Sequence, residues 1–245
     1  MARIGTSGWS YDDWTEVLYP PGTPAGRRLE AYAAVFDTVE LNASFYHWPP
    51  DRTFAAWRDR LPAGFAMTVK APRGLTHAKR LAQPEAWIDR IAGGLGELGD
   101  RAGQLLVQLA PDHARDDDRL DRFLGLLPDR WPTAVELRHP SWLVDDVFEI
   151  LTRHRAAYVV MSGAELPVVP RVTCDRVYVR FHGPDPHRLY AGSYGEEELA
   201  RWAERIRAWE ADGHRVWAYF NNDGQGNAVR NARTLLAMLR SPTSG

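Results

Sequence analysis

The chain has 245 residues, of which 44% are hydrophobic, 11% aromatic and 25% charged, the composition of an ordinary globular protein rather than a disordered one. A formal charge of -2 gives no long-range attraction for nucleic acid or anionic membrane, and the single cysteine, Cys174, excludes an internal disulfide and a cysteine metal cluster. No apolar run reaches the roughly eighteen residues of a membrane span, and the chain start leads into a strand pattern rather than a signal peptide. We therefore expect a cytoplasmic protein.

Short, mostly apolar segments alternate with helical patterns along the chain. The predicted strands, in order, are Arg3–Trp9 with its glycine-bracketed turn, Thr38–Asn42, Ala66–Lys70, Gln104–Leu109, Thr133–Leu137, Tyr158–Met161, Arg176–Gly183 and Val216–Phe220. After every strand but the sixth, apolar residues recur at helical spacing, in stripes beginning at Leu29, Phe54, Trp87, Leu120, Val144, Leu199 and Val229. Phe45 to Pro50 is predicted to be an aromatic loop.

Eight units of about 30 residues, each a buried strand followed by a helix, predict an α/β fold in which parallel strands form a single (β/α)8 TIM-type barrel. The stretch Gly163 to Arg171 contains Pro167 and Pro170, so the sixth helix is missing or replaced by a loop. We expect one barrel domain over residues 1–240 and a short polar tail over 241–245. An open doubly wound sheet is the competing architecture.

Polar side chains stand at the carboxyl ends of the predicted strands, where a barrel carries its active site. We expect one mouth to be formed by Ser7, Trp9, Glu40, Asn42, Lys70, Gln108, Glu136, Arg138, His139, Ser162, Arg180, His182, Asn221, Asn222 and Asp223. The alternative for each residue taken alone is half of a structural ion pair. A barrel gains little stability from so many buried charges, which favours function for the set.

The residue types indicate acid–base and electrostatic chemistry. Glu40 and Glu136 suit a general acid and base, or else they balance nearby cations. Lys70 is one of only two lysines against 28 arginines, so the sequence indicates a compact cation, a nucleophilic amine or a buried partner of Glu40. Arg138 and Arg180 suit a carboxylate or phosphate held by planar guanidinium groups.

Histidines and aromatic residues extend this set. His182 and His139 suit proton shuttles, or metal ligands together with Glu136 and Asp223. No His-Glu-x-x-His or Asp-x-Asp spacing occurs, so no metal or cofactor is predicted, although a divalent metal stays open. A stacking wall for a sugar or base, or else a packed rim or dimer patch, is predicted from Trp9, Tyr11, Trp14, Tyr46, Trp48 and Trp142. The segment from Asn222 to Gly226 resembles an anion-binding helix start after strand eight.

Several ordered motifs resemble the YecE-like family, the domain of unknown function 72. They are Ile4-Gly-Thr-Ser-Gly-Trp9, Val39-Glu-Leu-Asn42 with Phe45-Tyr46, Lys70 with Thr76-His77, Glu136-Leu-Arg-His139 with Ser141-Trp142, Tyr178-Val-Arg-Phe-His-Gly183, and Tyr219-Phe-Asn-Asn222 with Asn231-Ala232. The resemblance implies a TIM-type barrel and no established reaction. Two departures, Ala110 for a usual proline and Asp223 for a common threonine, lie in the predicted mouth.

The leading hypothesis is an enzyme acting on a small anionic or polyhydroxylated substrate. Glu40, Lys70, Glu136 and His182 are the predicted catalytic residues. Substrate binding is predicted for Ser7, Trp9, Asn42, Tyr46, Gln108, Arg138, His139, Arg180, Asn221 and Asn222. Two alternatives stay open: a metal-dependent phosphodiesterase or endonuclease-like enzyme, by analogy of fold, and a non-catalytic sensor or scaffold. A small anionic ligand is the expected partner, nucleic acid is not favoured, no membrane is expected, and the oligomeric state is open.

Overall fold

The computed structural model describes residues 1–163 and 166–241 and consists of alternating strands and helices. The strands are β1 (Arg3–Thr6), β2 (Thr38–Leu41), β3 (Ala66–Lys70), β4 (Ala102–Gln108), β5 (Thr133–Glu136), β6 (Ala157–Ser162), β7 (Arg176–Phe181) and β8 (Arg215–Phe220). The sheet order is β1-β8-β7-β6-β5-β4-β3-β2. The alternation of strands and helices, together with the order of the strands, defines a TIM-type (β/α)8 fold and confirms the predicted fold class.

The described α-helices follow the predicted stripes, except for one helix of four residues that no stripe predicts. They are α1 (Arg28–Ala33), α2 (Ala43–Tyr46), α3 (Asp51–Arg60), α4 (Glu85–Leu98), α5 (Asp117–Leu126), α6 (Asp145–Arg153), α7 (Glu196–Ala211) and α8 (Asn227–Arg240). No helix occupies the described residues between β6 and β7, namely 163 and 166–175, as the prolines there predict. Within the described ranges, no helix is both long enough and apolar enough to cross a membrane.

Strand burial matches the apolar runs from which the strands were predicted. Every residue of β2, β5, β6 and β7 is buried, the pattern of parallel strands covered on both faces. The main difference lies at Phe45 to Pro50, because α2 forms one helical turn where a loop is predicted. The Ser44 hydroxyl explains this helical turn. Its Oγ lies 2.9 Å from the Leu41 carbonyl oxygen and 2.7 Å from the Lys70 carbonyl oxygen, and these contacts hold the turn against the ends of two strands.

Backbone contacts divide the chain into two compact units, which we describe separately. The first comprises Met1–Val39, Val160–Val169 and Arg176–Gly245, and the second comprises Glu40–Val159 and Pro170–Asp175. The single domain over residues 1–240 stays a prediction. Of the predicted tail, Ser241 is described and residues 242–245 lie outside the described range.

Candidate functional site

Three predicted site residues of the second unit point from the same face of neighbouring strands. Lys70 pairs in register with Leu106 of β4, and Gln108 pairs with Glu136 of β5. Residues paired in register share a face, and so do residues two apart along a strand. Lys70, Gln108 and Glu136 therefore face the same side, with the last two about 6.6 Å further along the strand direction.

Lys70 is held in place by a polar and an aromatic contact. Its side chain is almost buried, at 5% exposure. The Nζ atom donates a hydrogen bond of 3.1 Å to the Asn42 Oδ1 and lies 4.2 Å from the centre of the Phe45 ring. A cation over an aromatic face is attracted by the ring quadrupole, so the ammonium group has a fixed position at the end of β3.

Glu136 and Arg138 form a buried ion pair at the end of β5. The Arg138 Nε lies 2.6 Å from the Glu136 Oε1, and the side chains are 9% and 0% exposed respectively. A structural ion pair, the alternative to a functional role in the sequence analysis, thus accounts for part of the arrangement of Glu136 and Arg138. Glu40, at the end of β2, is also fully buried. The roles predicted for these three residues stay predictions.

His139 has a local structural contact. Its Nδ1 accepts a hydrogen bond from the Ser141 backbone N–H at 3.2 Å and lies 2.8 Å from the Ser141 hydroxyl. That hydroxyl accepts the Arg115 backbone N–H at 2.8 Å. His139 therefore caps the short 3-10 helix Pro140–Trp142 with Nδ1 as acceptor.

A cavity of about 600 Å³ opens where the segments after β2, β3 and β4 meet; we call it the β2–β4 cavity. Pro72 and Ala110, each two residues beyond a predicted site residue of β3 or β4, line it. Its aromatic wall consists of Phe45, Tyr46, Trp48 and Trp87. The family departure at Ala110 therefore falls on the wall of this cavity.

One wall of the cavity is a π-helical turn, Gly74–Ala78, which sequence analysis did not predict. The Lys79 N–H closes it on the Gly74 carbonyl oxygen at 2.9 Å. A Cβ on Gly74 would lie 2.3 Å from the Trp87 ring, so only glycine lets that ring pack against the turn. Such turns recur at functional positions, because they redirect a side chain that an α-helical turn would place elsewhere.

His77, on this turn, lines the cavity in a cationic environment. Its ring meets the Phe45 ring edge-on at 4.9 Å, and its Nδ1 lies 2.9 Å from the Thr76 hydroxyl. Burial, then the positive charges of Lys70, Arg73 and Arg138, lower the pKa of His77 to about 4, against an opposing effect of Asp112. The imidazole is therefore neutral at pH 7.

His113 is a buried imidazole that the predicted site does not use. It is 3% exposed and packs edge-on against Trp142, and neither ring nitrogen has a hydrogen-bond partner among the described residues. Burial, followed by the charges of Arg80 and Arg119, lowers the pKa of His113. An unpaired buried N–H costs stability.

We expect His113→Phe to raise the free energy of unfolding by about 1 kcal/mol at pH 7.5, since it removes an unpaired polar group and keeps the ring contact. The folded-state pKa of His113 is lowered, so below about pH 6.5 the unfolded chain binds more protons and the wild type loses stability. The gain should thus be larger at pH 5.5. Urea unfolding at both pH values measures it, with exposed His187→Phe as the control. A loss of stability at both values would contradict the prediction.

In the first unit, three predicted residues meet at the ends of β1, β7 and β8. The Ser7 N–H donates to the Phe220 carbonyl oxygen at 2.8 Å, and the Asn221 N–H donates to the Phe181 carbonyl oxygen at 2.8 Å. The Asn221 Nδ2 lies 3.5 Å from the His182 Nδ1. All three residues are buried, as is Arg180, whereas Trp9 is half-buried.

Asn222 connects the loop after β7 to α8. Its Nδ2 donates to the Gly192 carbonyl oxygen and to the Asn231 Oδ1, both at 2.9 Å. Asn231 in turn accepts the Tyr194 N–H at 3.2 Å. The amide nitrogen of Asn222 thus holds the loop after β7 against α8, and its predicted role in substrate binding stays a prediction.

The predicted anion site at the start of α8 is flanked by acidic groups. The Gln225 N–H donates to the Asp13 Oδ2 at 2.5 Å, so a carboxylate of this chain already takes a backbone donor there. Asp223, the second family departure, lines an adjoining cavity of about 550 Å³ together with Arg188 and Tyr190. These contacts do not favour an external anion at this helix start.

Within the described part of the chain, no group of three or more His, Cys, Asp or Glu side chains is placed to hold a metal ion. Sequence reasoning gave no role to Arg73 or Arg90 and counted Trp87 only as part of a helical stripe, while His77 entered through the family resemblance alone. The long connection from β3 to α4 was the one available indication of a site there, since loops of that length are often functional.

Together, the fold and the polar strand ends define a TIM-type barrel protein with a cavity beside its strand ends. The chain matches the family model "Protein of unknown function DUF72" over residues 3–245, and it belongs to that family. The resemblance to the YecE-like family is thereby confirmed.

Relatives and solved structures agree with this assignment. UPF0759 protein YunF of Bacillus subtilis is 28% identical over 276 residues, covering 100% of this chain and 97% of YunF. UPF0759 protein YecE of Escherichia coli is 29% identical over 143 residues, covering 58% of this chain and 50% of YecE. A DUF72 family protein from Thermotoga maritima has a TM-score of 0.89 at 30% identity, covering 98% of this chain and 100% of that chain. One from Enterococcus faecalis, with a TM-score of 0.83 at 21% identity over 99% of this chain and 96% of that chain, shows the fold alone.

Proposed function

We propose that this protein is an enzyme that acts on a small anionic substrate by acid–base and electrostatic catalysis. The observation that carries the proposal is that charged side chains are nearly buried at two strand ends. Lys70 lies at the end of β3, and the Glu136–Arg138 ion pair lies at the end of β5. Charges preorganised in a site with little water stabilise developing charge far better than mobile charges in solvent.

Each residue has a defined part in this proposal. Lys70 and Arg138 stabilise negative charge on the substrate, and Asn42 holds the ammonium group of Lys70 in place. Glu136 and Glu40 transfer protons. A guanidinium group lowers the proton affinity of a neighbouring carboxylate, and an anion that binds the guanidinium would offset this effect and allow the carboxylate to accept a proton. The roles predicted for Arg180 and His182 stay predictions.

The proposal is tested by proton NMR in deuterated buffer with a panel of sugar phosphates, hydroxy acids and polyols. We expect at least one compound to be converted or to exchange a C–H for deuterium. Glu136→Gln should lower that rate at least about 100-fold, the contribution of a general acid or base. Lys79→Gln should leave the rate unchanged, because Lys79, the other lysine of the chain, is exposed.

Circular dichroism is recorded for each variant, so that a loss of rate is compared only between folded proteins. The proposal fails if no compound in the panel reacts with the wild type. It fails equally if Glu136→Gln and Glu40→Gln both react at the wild-type rate.

A further inference from the structure

The β2–β4 cavity carries positive charge that is not neutralised locally. Arg73 and Arg90 line it, and within residues 1–163 and 166–241 neither has an ion pair or a hydrogen bond through its side chain. Among the described residues, the carboxylate that lines the cavity is that of Asp112, which is paired with Arg80 at 2.7 Å. A dianion entering the cavity would therefore find two guanidinium groups ready to bind it.

The aromatic wall offers a second kind of contact. Tyr46 is 75% exposed and lines the cavity, so its ring is accessible to a ligand. The Phe45 ring stands edge-on to Tyr46 at 5.0 Å and is itself fixed by the Lys70 ammonium group. Trp87 is fixed against Gly74. Rigid aromatic faces favour the flat surface of a sugar or an aromatic ring.

His77 adds a group that responds to an anion. It lies on the π-helical turn, four residues after Arg73, which directly precedes that turn, and the Thr76 hydroxyl lies beside its Nδ1. The charged groups that act on it are Lys70, Arg73, Arg138 and Asp112. An anion bound among these cations would offset their repulsion and favour a proton on the imidazole, which would then donate to the anion.

We infer that the β2–β4 cavity binds a small phosphorylated molecule that carries a sugar or aromatic ring. Arg73, Arg90 and His77 bind the phosphate, and the ring lies against Tyr46 and Trp87. The volume of about 600 Å³ is that of a typical small-molecule site. A phosphate monoester, with a charge near -2, balances the two unpaired guanidinium groups better than a single carboxylate does. The inference deepens the proposed function by naming its substrate class.

The first test is isothermal titration calorimetry with inorganic phosphate, phenyl phosphate, glucose 6-phosphate, phenol and glucose. We expect phenyl phosphate or glucose 6-phosphate to bind at least about tenfold more tightly than inorganic phosphate, and the uncharged compounds not to bind. Arg73→Gln and Arg90→Gln should each weaken the ring phosphate at least about tenfold. Tyr46→Ala should remove only the advantage of the ring phosphate over inorganic phosphate.

Arg52→Gln is the matched control, because Arg52 is an exposed arginine of α3 that does not line the cavity. It should bind like the wild type. The inference is overturned if the arginine variants bind ring phosphates like the wild type, if inorganic phosphate binds as tightly as the ring phosphates, or if the control loses as much affinity as the cavity variants.

A second test measures the protons that the protein takes up when an anion binds. Sulfate stays a dianion between pH 5.5 and pH 7, so a titration with sulfate in buffers of different ionisation enthalpy reports protons taken up by the protein alone. We expect sulfate to bind more tightly as the pH falls and to bring proton uptake, because the bound anion raises a pKa that is depressed to about 4 in the free protein. His77→Gln should bind sulfate without that uptake. Uptake that persists in His77→Gln, or wild-type binding without uptake, refutes the part assigned to His77.

The two proposals fail in different ways. If ring phosphates bind as described but no compound reacts in the NMR experiment, the cavity assignment stands and the enzymatic proposal falls. If a compound reacts and the reaction depends on Glu136 while Arg73→Gln and Arg90→Gln change neither binding nor rate, the enzymatic proposal stands and the cavity assignment falls.

Discussion

Replacing Arg138 with methionine is expected to lower the free energy of unfolding by about 3–5 kcal/mol, the usual loss when one partner of a buried ion pair is removed. The Arg138 Nε lies 2.6 Å from the Glu136 Oε1, and the carboxylate is fully buried. Methionine keeps much of the side-chain volume, so the loss reports charge and hydrogen bonding rather than a cavity. Urea unfolding followed by circular dichroism measures it.

The matched control is Arg122→Met. Arg122 pairs with Glu85 at 3.0 Å, but those side chains are 70% and 55% exposed, so the change should cost under about 1 kcal/mol. A double-mutant cycle adds Glu136→Gln, and the double variant should be more stable than the sum of the single losses predicts. If Arg138→Met and Arg122→Met lowered the free energy of unfolding equally, burial would add nothing to the stabilisation by the Glu136–Arg138 pair.

The second large effect is expected at Gly183, two residues after the end of β7. Its φ is +89°, and an added Cβ would lie 2.2 Å from the Ala191 carbonyl oxygen and 2.8 Å from the Ala191 nitrogen. Both neighbours are backbone atoms that cannot rotate away. Gly183→Ala should therefore cost about 3 kcal/mol or more, combining backbone strain with overpacking. Thermal and urea unfolding measure the loss.

Gly213→Ala separates the two causes. Gly213 has nearly the same φ, +87°, but an added Cβ there would meet no atom within 4 Å. It should cost only the backbone strain, about 1–2 kcal/mol. If the two variants lost the same stability, the close approach of the 183–192 loop to the end of β7 would be wrong.

Much of the fold could be predicted because parallel buried strands and amphipathic helices have distinct periods. The same reasoning predicted that Lys70, Gln108 and Glu136 lie at one mouth, because each stands at the carboxyl end of a predicted strand. Strand ends were less certain: β4 begins at Ala102, two residues before the prediction, where Ala102 and Gly103 carry no apolar pattern.

The cavity could not be predicted, because its parts come from elements with other evident explanations. Arg90 lies on the exposed face of α4, where solvated arginines are common, and Trp87 fits the apolar stripe of that helix. Arg73 and His77 follow Pro72, which predicts only the end of a strand. Nothing in local periodicity indicates a π-helical turn, since it depends on packing between Gly74 and Trp87.

The turn at Gly74–Ala78 also affects how relatives of this protein should be compared. Because it closes on the fifth residue rather than the fourth, it accommodates one residue more than an ordinary helical turn. In a homologue with a one-residue deletion inside this segment, the side chain aligned with His77 would point in another direction, even where the aligned residues are identical. Gaps at this point of an alignment would therefore mark changes in the wall of the β2–β4 cavity that overall identity conceals.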